Sequence, residues 1–502
     1  MIAASARKST ILKSNGEPFE TQPRFRPSEL IDMKLAARSG HGREINARFD
    51  AAQQNDEMER YWVNADSYDA DSANSRSVRV TLMQRARYEV GNNPFVDGMV
   101  QTCANYLIGT GPTIRFTGGT PEFNAKASNA FAAWARAVMF RRKLYCMAHA
   151  KVQDGEGGAV LRNNPAIPGV RLDVVPFEAE QMHTPYVRYM QPGHIDGIRF
   201  DEFGNPYEYD LMPYHPGASW AQVNPQAEKI PARYMLHWFM LRRPGQHRAV
   251  SELRSVLNTG ANARRFREST LAAADSAASY AGILKTQQMP DSGNDPLIPM
   301  STTETERRML MALPGGWDFS QFKAEHPNAT YSEFIRSHIN EMGRPKHLPY
   351  GMAACDSAQY NFASGKLDRQ PLYLAIDVER CDCEELVISK VVAEWWKRAV
   401  NAYYWVGMDQ NTPLAYAVDW PALPEGDENA VADAAATKLD AGLMSPSQWF
   451  SDNGFQFEEK IAQMANDYGV TVQEMKALLR RKRFEEPAAP ATVAQAPAGA
   501  TA

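Results

Sequence analysis

The sequence predicts an α+β chain built in several segments, and three observations carry that reading. Apolar residues recur every three or four positions in stretches on both sides of the middle of the chain, the spacing of amphipathic helices. Between about 150 and 240 the pattern changes to short β-branched or aromatic runs separated by turns, the mark of strands. The 502 residues contain 32 glycines and 32 prolines, which predict many turns and irregular connections. With 44% hydrophobic and 23% charged residues the balance is globular, and the length gives two to four domains at roughly 100–200 residues each.

The elements follow in order. Residues 1–60 are polar and read as an arm with short helical pieces. From about 78 to 108 the pattern is helical: Val80, Met83, Ala86, Arg87 and Val90 line one helix, and Met99, Val100, Cys103, Leu107 and Ile108 line a second. Asn93 can cap the second helix and Pro94 is tolerated in its first turn. Strands are expected at 159–163, 170–176, on both sides of Asp201–Pro206, and at 233–241. The Gly204-Asn205 pair supplies the positive φ of a tight hairpin turn. Helix returns over 250–284 with Leu253, Leu257, Phe266, Leu271 and an alanine-rich stretch, 285–322 is irregular, Asn328–Met342 is helical and 343–365 is a loop. Residues 366–400 predict a long helix with one apolar stripe of Leu374, Val378, Cys381, Ile388, Val392 and Trp395. A loop near 407–427 leads to two or three helices over 428–484, one capped by Ser445 or Ser447, and the uncharged tail from Pro487 is expected to be disordered.

Several function classes are excluded. No window approaches about 18 consecutive apolar residues, so no membrane-spanning helix is expected. The first 20 residues lack the apolar core of a secretory signal, which predicts a chain that is not exported. Five scattered cysteines do not make a disulfide framework and fit a reducing compartment. The net charge of −5 argues against a protein that coats nucleic acid tightly.

The motifs nominate no catalytic centre, metal or cofactor. Cys381 and Cys383, two apart on a helix, point about 200° from each other and cannot share an ion; Cys381 is expected to pack on the apolar stripe. Asp154-Gly-Glu-Gly-Gly lacks the lysine and hydroxyl of a phosphate loop and reads as a tight turn before a strand. The ten histidines show no HExxH spacing, and His237 and His338 read as packing residues. Glu384-Glu385 reads as a solvated pair. The short basic runs at Arg141–Lys143, Arg242-Arg243, Arg264–Arg267 and Arg480–Arg483 read as solvated faces or ion-pair partners.

A series of short segments, in order, resembles one known family. They are Arg85-Ala-Arg-Tyr-Glu-Val-Gly-Asn-Asn-Pro-Phe, Tyr106-Leu-Ile-Gly-Thr-Gly, His194-Ile-Asp-Gly-Ile-Arg-Phe-Asp-Glu-Phe-Gly-Asn-Pro, and Ile230-Pro-Ala with His237 and Arg243-Pro-Gly-Gln-His-Arg. His326-Pro-Asn-Ala-Thr-Tyr-Ser-Glu-Phe, Leu348-Pro-Tyr-Gly-Met, Asn361-Phe-Ala-Ser-Gly-Lys and Asp440-Ala-Gly-Leu-Met-Ser follow. Together, from about 45 to 465, they resemble the lambda-like family of phage portal proteins. Ala249 stands where the family usually has glycine, and Gly365 where it has a small alanine-like residue.

The resemblance implies an α+β portal fold: a mixed β wing body, long stem and wing helices, an irregular clip and a helical crown, all in one subunit of a ring. It lays out 1–60 as an N-terminal arm, 61–248 as wing, 249–284 as first stem helix, 285–322 as clip and 323–344 as second stem helix. It makes 345–365 the tunnel loop, 366–427 the long wing helix and following segment, 428–484 the crown and 485–502 a disordered tail. It implies a non-enzymatic ring, commonly of twelve copies, at one capsid vertex of the virion, assembled in the host cytoplasm. Double-stranded DNA passes through it; the terminase large subunit, a head-completion or tail adaptor, and the major capsid or scaffold protein are its partners. A channel must let DNA slide, and each Lys or Arg on a phosphate adds salt-dependent grip. The DNA-nearest residues are therefore expected to be Gln359, Tyr360 and Asn361 with Asp356 and Ser357, and Lys346, Lys366, Arg336 and Arg344 are candidate phosphate contacts. Leu271, Ala274 and Ala278, small or apolar positions on the first stem helix, are expected between subunits. A different virion adaptor or minor capsid protein, or a capsid-associated hydrolase, are the competing readings.

Overall fold

After a single helical turn at Ala70–Ala73, two consecutive helices follow, and one residue ends the first and starts the second. In the computed structural model, residues 65–183, 193–219, 226–279, 283–286, 317–320, 331–358, 361–403, 415–424, 428–453, 455 and 457–484 are described. The arm 1–60, the tail from 485 and most of 285–322 lie outside them. Helix α1 (Arg76–Asn92) stops at Asn93, whose extended backbone turns the chain and whose side chain accepts the Phe95 N–H at 3.3 Å. Pro94 then fills the first turn of α2 (Pro94–Ile108), which buries Val96, Met99, Val100, Cys103, Ala104, Leu107 and Ile108.

Strand β1 (Thr113–Phe116) and two further helices follow, α3 (Pro121–Ala137) and α4 (Phe140–Asp154). The sequence reading assigned nothing to these helices, although Thr120-Pro121-Glu122 is a start signal: the Thr120 hydroxyl accepts the Phe123 N–H at 3.3 Å. Strands β2 (Glu156–Asn163), β3 (Leu172–Phe177) and β8 (Met235–Phe239) form an antiparallel sheet in the order β3-β2-β8. A second antiparallel sheet runs β4 (His194–Ile195), β5 (Ile198–Phe200), β6 (Pro206–Leu211), β7 (Glu228–Pro231). The expected hairpin at Asp201–Pro206 is present: Gly204 has φ +86, and the Asp201 carboxylate accepts the N–H groups of Phe203 and Asn205. Val160, Met182, Ile198, Tyr209, Leu211, Ile230 and Met235 form a cluster joining the two sheets.

Helix α5 (Leu257–Ser279) is shorter than the expected 249–284, because Ala249–Val256 packs as turns that bury Leu253 and Val256. Strands β9 (Ile283–Thr286) and β10 (Trp317–Ser320) pair antiparallel at the two ends of the segment expected to be irregular throughout. Helix α6 (Tyr331–Gly343) and helix α7 (Phe362–Cys383) flank the expected loop 343–365, which contains a further short helix, Tyr350–Ala353. A π-helical turn, Glu384–Ile388, joins α7 to α8 (Ser389–Tyr403).

That turn corrects the expected stripe. A π turn inserts an extra residue and rotates the helix face. Ile388, Val392 and Trp395 are buried as expected, but Leu374 and Val378 are 68% and 54% exposed, and Cys381 is exposed too. The buried face of α7 is Leu372, Ile376, Glu379, Arg380 and Cys383 instead. Glu384 also departs from the solvated reading: it is half-buried and accepts the Trp420 indole N–H.

The expected loop 407–427 contains β11 (Tyr416–Asp419), which pairs with β1 from Thr113↔Asp419 to Phe116↔Tyr416. The C-terminal region holds α9 (Glu428–Asp440), α10 (Pro446–Asp452), α11 (Phe457–Asp467) and α12 (Val472–Phe484), more than the two or three helices expected. Ser445 caps α10, accepting the Gln448 N–H at 3.1 Å. One continuous core joins α2, α3, α4, the three-stranded sheet, the start of α5, the end of α6 and the α7–α8 helix.

Glycine spacing sets how closely α4 lies on β2. A Cβ at Gly157 would stand 2.3 Å from the Met147 carbonyl oxygen, whereas one at Gly98, inside α2, meets nothing within 4 Å. We therefore expect Gly157→Ala to destabilise by about 1–3 kcal/mol, and Gly98→Ala to stabilise by about 0.5–1 kcal/mol. Chemical denaturation of the two variants checks the contrast.

Candidate nucleic-acid interface and its anchor

The segment between α6 and α7 begins with a turn that only certain residues permit. Gly343 lets the Leu348 carbonyl oxygen approach to where a Cβ would stand 2.6 Å away, and the Leu348 N–H closes the turn on the Gly343 carbonyl at 3.0 Å. His347 takes φ +57. The 3-10 turn Arg344–Lys346 turns Lys346 into the protein and leaves Arg344 exposed.

Lys346 therefore does not stand as a phosphate contact. Its ammonium lies 2.5 Å from Glu252 and 2.7 Å from Glu379. The Lys151 ammonium bridges the same two carboxylates from the other side, at 2.8 and 2.9 Å. All four side chains are buried, and each cation touches both anions. The closed, electrically neutral quartet ties α4, the turn before α5, the turn after α6, and α7 at one point. Burial opposes charge on Lys151 and Lys346, but the carboxylates outweigh it and raise both above the usual lysine range. Burial likewise pushes Glu252 up, but the two ammonium groups outweigh it and pull it down to about 2.

A second buried ion group holds the Arg243–Arg248 motif. Gln246 accepts the N–H groups of Arg242 and Arg243, and the Arg248 guanidinium forks onto Glu156 at 2.8–3.1 Å. Arg248 also donates to the carbonyls of Ala179, Met182 and Asp196. Burial pushes the Glu156 carboxyl up, and Arg248 more than reverses this, holding it well below the usual range. His237 is buried 3.6 Å from the same carboxylate. Asp154-Gly-Glu-Gly-Gly is thus not a turn ahead of the strand: Asp154 ends α4, Gly155 alone makes the connection and Glu156 already opens β2, with both acids engaged, Asp154 binding Arg87 at 2.8 Å.

Glu178, Glu180 and His215 place their ligating atoms within 4.8 Å of one another. The Arg87 guanidinium already donates to Glu180 and lies 3.2 Å from Glu178. The acids are thus already paired with the Arg87 cation.

The other expected residues separate into groups. Arg336 and Arg344 come together with His347 and Tyr350 in a cleft of about 570 Å³ between α6 and the start of α7, where Arg336 stacks over the Tyr350 ring at 4.7 Å. Lys366 is exposed on the first turns of α7. Asp356 and Ser357 are exposed at the outer end of the segment, where Asp356 accepts the Ala358 N–H at 3.0 Å. Asn361 is exposed and caps α7, accepting the Ser364 N–H at 2.8 Å. Gln359 and Tyr360 lie outside the described residues. On α5, Leu271 is 64% exposed, Ala274 is half-exposed, and Ala278 lies in the helix.

Sequence reasoning missed Lys151, Glu252, Glu379, Glu156 and Arg248. A signal existed for two of them: Lys151 continues the stripe Leu144, Met147, Ala148, and Glu379 continues Leu372, Ile376. A charge on an apolar stripe calls for a buried partner.

The chain is a phage portal protein, of a family that is structural in general. It belongs to the lambda family of these proteins, whose model matches residues 55–374, well over half of the chain. Similar solved chains include one from the neck of an empty GTA particle computed with C6 symmetry. It is 15% identical, with 78% of this chain and 94% of that chain covered and a TM-score of 0.45. A chain from the virion of a native gene transfer agent particle is 14% identical, covering 75% and 93%, with a TM-score of 0.44. One from the neck of a native GTA particle computed with C12 symmetry is 15% identical, covering 74% and 92%, with a TM-score of 0.43. No curated protein matches the sequence.

Two outcomes are expected of the quartet. Lys346→Met leaves two carboxylates against one ammonium and should cost about 3–5 kcal/mol, read by chemical denaturation. Because the folded pKa of Glu252 lies below the ordinary 4.5, its contribution is complete above that value and lost as pH falls towards about 2. Melting temperature should fall across that window, and less steeply in Glu252→Gln.

Proposed function

We propose that this portal protein assembles into a closed ring, commonly of twelve copies, at one vertex of a tailed-phage capsid. Double-stranded DNA enters and leaves through its channel. The match of the lambda portal family over residues 55–374 carries this reading. Exposed apolar side chains support it: Leu271, Leu374 and Val378 are each more than half exposed, and a neighbouring copy would bury them. The α5 face with Leu271, Ala274 and Ala278 packs between subunits as the first stem helix.

Residues 345–365 face the channel in this reading. Asp356, Ser357 and Asn361, with Gln359 and Tyr360, offer weak exchangeable contacts, while Arg336, Arg344 and Lys366 meet phosphates from the root of the segment. Lys346 holds that root in place. The clip 285–322 docks the terminase large subunit and then a head-completion or tail adaptor, and the wing meets the major capsid or scaffold protein. The portal itself hydrolyses nothing and needs no cofactor; it works in the virion after assembly in the host cytoplasm.

Negative-stain electron microscopy of the purified chain should show closed rings with a channel wider than duplex DNA. A monomer with metal-dependent nuclease activity would overturn the reading in favour of a capsid-associated hydrolase. Ala274→Phe, and separately Ala278→Phe, should shift native mass from rings to small oligomers while the far-ultraviolet circular dichroism stays unchanged.

A further inference from the structure

We infer that the pocket between the Thr110–Thr113 turn, the end of α3 and the start of α4 docks an acidic segment of a partner protein, which inserts one bulky apolar side chain. The inference goes beyond the portal reading and does not depend on ring formation. The pocket has a volume of about 520 Å³, in the range of sites that bury a ligand group. Its floor is apolar: Ile114, Phe131 and Phe140 are each at most 4% exposed.

The rim is arginine. Arg136, Arg141 and Arg142 line it, and no acidic residue does. Arg141 is held in place, donating to the Gly109 carbonyl at 3.1 Å across Gly111, which has φ +96 and where a Cβ would stand 2.8 Å from Arg141 Cγ. Arg136 and Arg142 are exposed and carry no ion pair to any described residue. Guanidinium groups bind carboxylates through paired hydrogen bonds. Two such groups flanking an apolar cavity therefore match carboxylates flanking an apolar side chain. A DNA backbone would engage the rim and leave the floor empty.

Met139 adds an independent observation. It joins the two helices at φ +53, a costly conformation for a side chain other than glycine, and stands 57% exposed in the pocket lining. A flexible thioether at a pocket mouth can repack around an incoming group.

The test selects random displayed heptapeptides on the full-length wild-type protein and on Ala135→Trp, which fills the cavity. The peptide most enriched on wild type is then synthesised and its binding measured by fluorescence anisotropy. The expected peptides carry an aromatic or large aliphatic residue flanked by acids. Affinity should fall at least tenfold in Ala135→Trp, and equally in Arg136→Glu/Arg142→Glu, whose surface positions leave folding intact. Enriched peptides without acids, the absence of enrichment dependent on the cavity, or displacement by duplex DNA at equal concentration would each overturn the proposal. Binding to monomers but not to assembled rings would overturn it in favour of a second copy of this chain as occupant.

Discussion

Four buried charges fix the geometry of this protein. Lys151, Glu252, Lys346 and Glu379 come from parts of the chain as much as 228 residues apart, and each must reach the same point. Desolvating four ions is expensive, and only the closed alternation of sign offsets it. If one of the four contributing segments shifts, an ion is left unpaired in a low-dielectric interior. The quartet therefore acts as a register device: it fixes where the turn before α5, the turn after α6, and α7 stand relative to α4. The exposed segment beyond Lys346 therefore starts from a fixed point.

The second buried group does similar work for the sheets. Arg248 gathers three carbonyls and the Glu156 carboxylate, so the motif around it is an internal brace. Ala249, where the family usually has glycine, fits this brace without strain: its N–H donates to Glu156 at 2.6 Å. The glycines of Asp154-Gly-Glu-Gly-Gly serve approach distance. A Cβ at Gly155 would collide with the Val250 backbone and one at Gly158 with the Phe177 ring. What looks in sequence like a phosphate cradle is the place where three backbones come nearly into contact.

Local signals in the sequence were reliable. Asn93-Pro94, Asp201–Pro206 and Ser445-Pro446 each contain a complete cap or turn within a few residues, and each forms as read. Signals that depend on distant partners were not legible. The phase of the 366–400 stripe went wrong because a π turn at Glu384–Ile388 rotates the face midway, and periodicity assumes a constant repeat. Strand β11 has only four residues, and its partner lies far upstream, so it read as loop. Lys346 reads as a phosphate contact because the resemblance puts it at the edge of the tunnel loop; its two carboxylates are distant in sequence, and only the folded chain brings them near. Arg336 and Arg344, by contrast, share one cleft because they belong to consecutive local elements.

The β1–β11 pairing sets a timetable for the polypeptide's birth. Residue 113 leaves the ribosome long before residue 419, its partner in the ladder. At about 5–20 residues per second, the wait is on the order of 15–60 seconds. Phe116, which meets Phe131 early, lacks its Trp395 and Trp396 partners for most of that interval. Closing so long a loop also costs entropy that only the late contacts repay. The nascent chain must therefore stay unaggregated with its central aromatic cluster incomplete until synthesis is about four-fifths done. The ladder can thus close only on a nearly finished chain, and this part of the core is completed late.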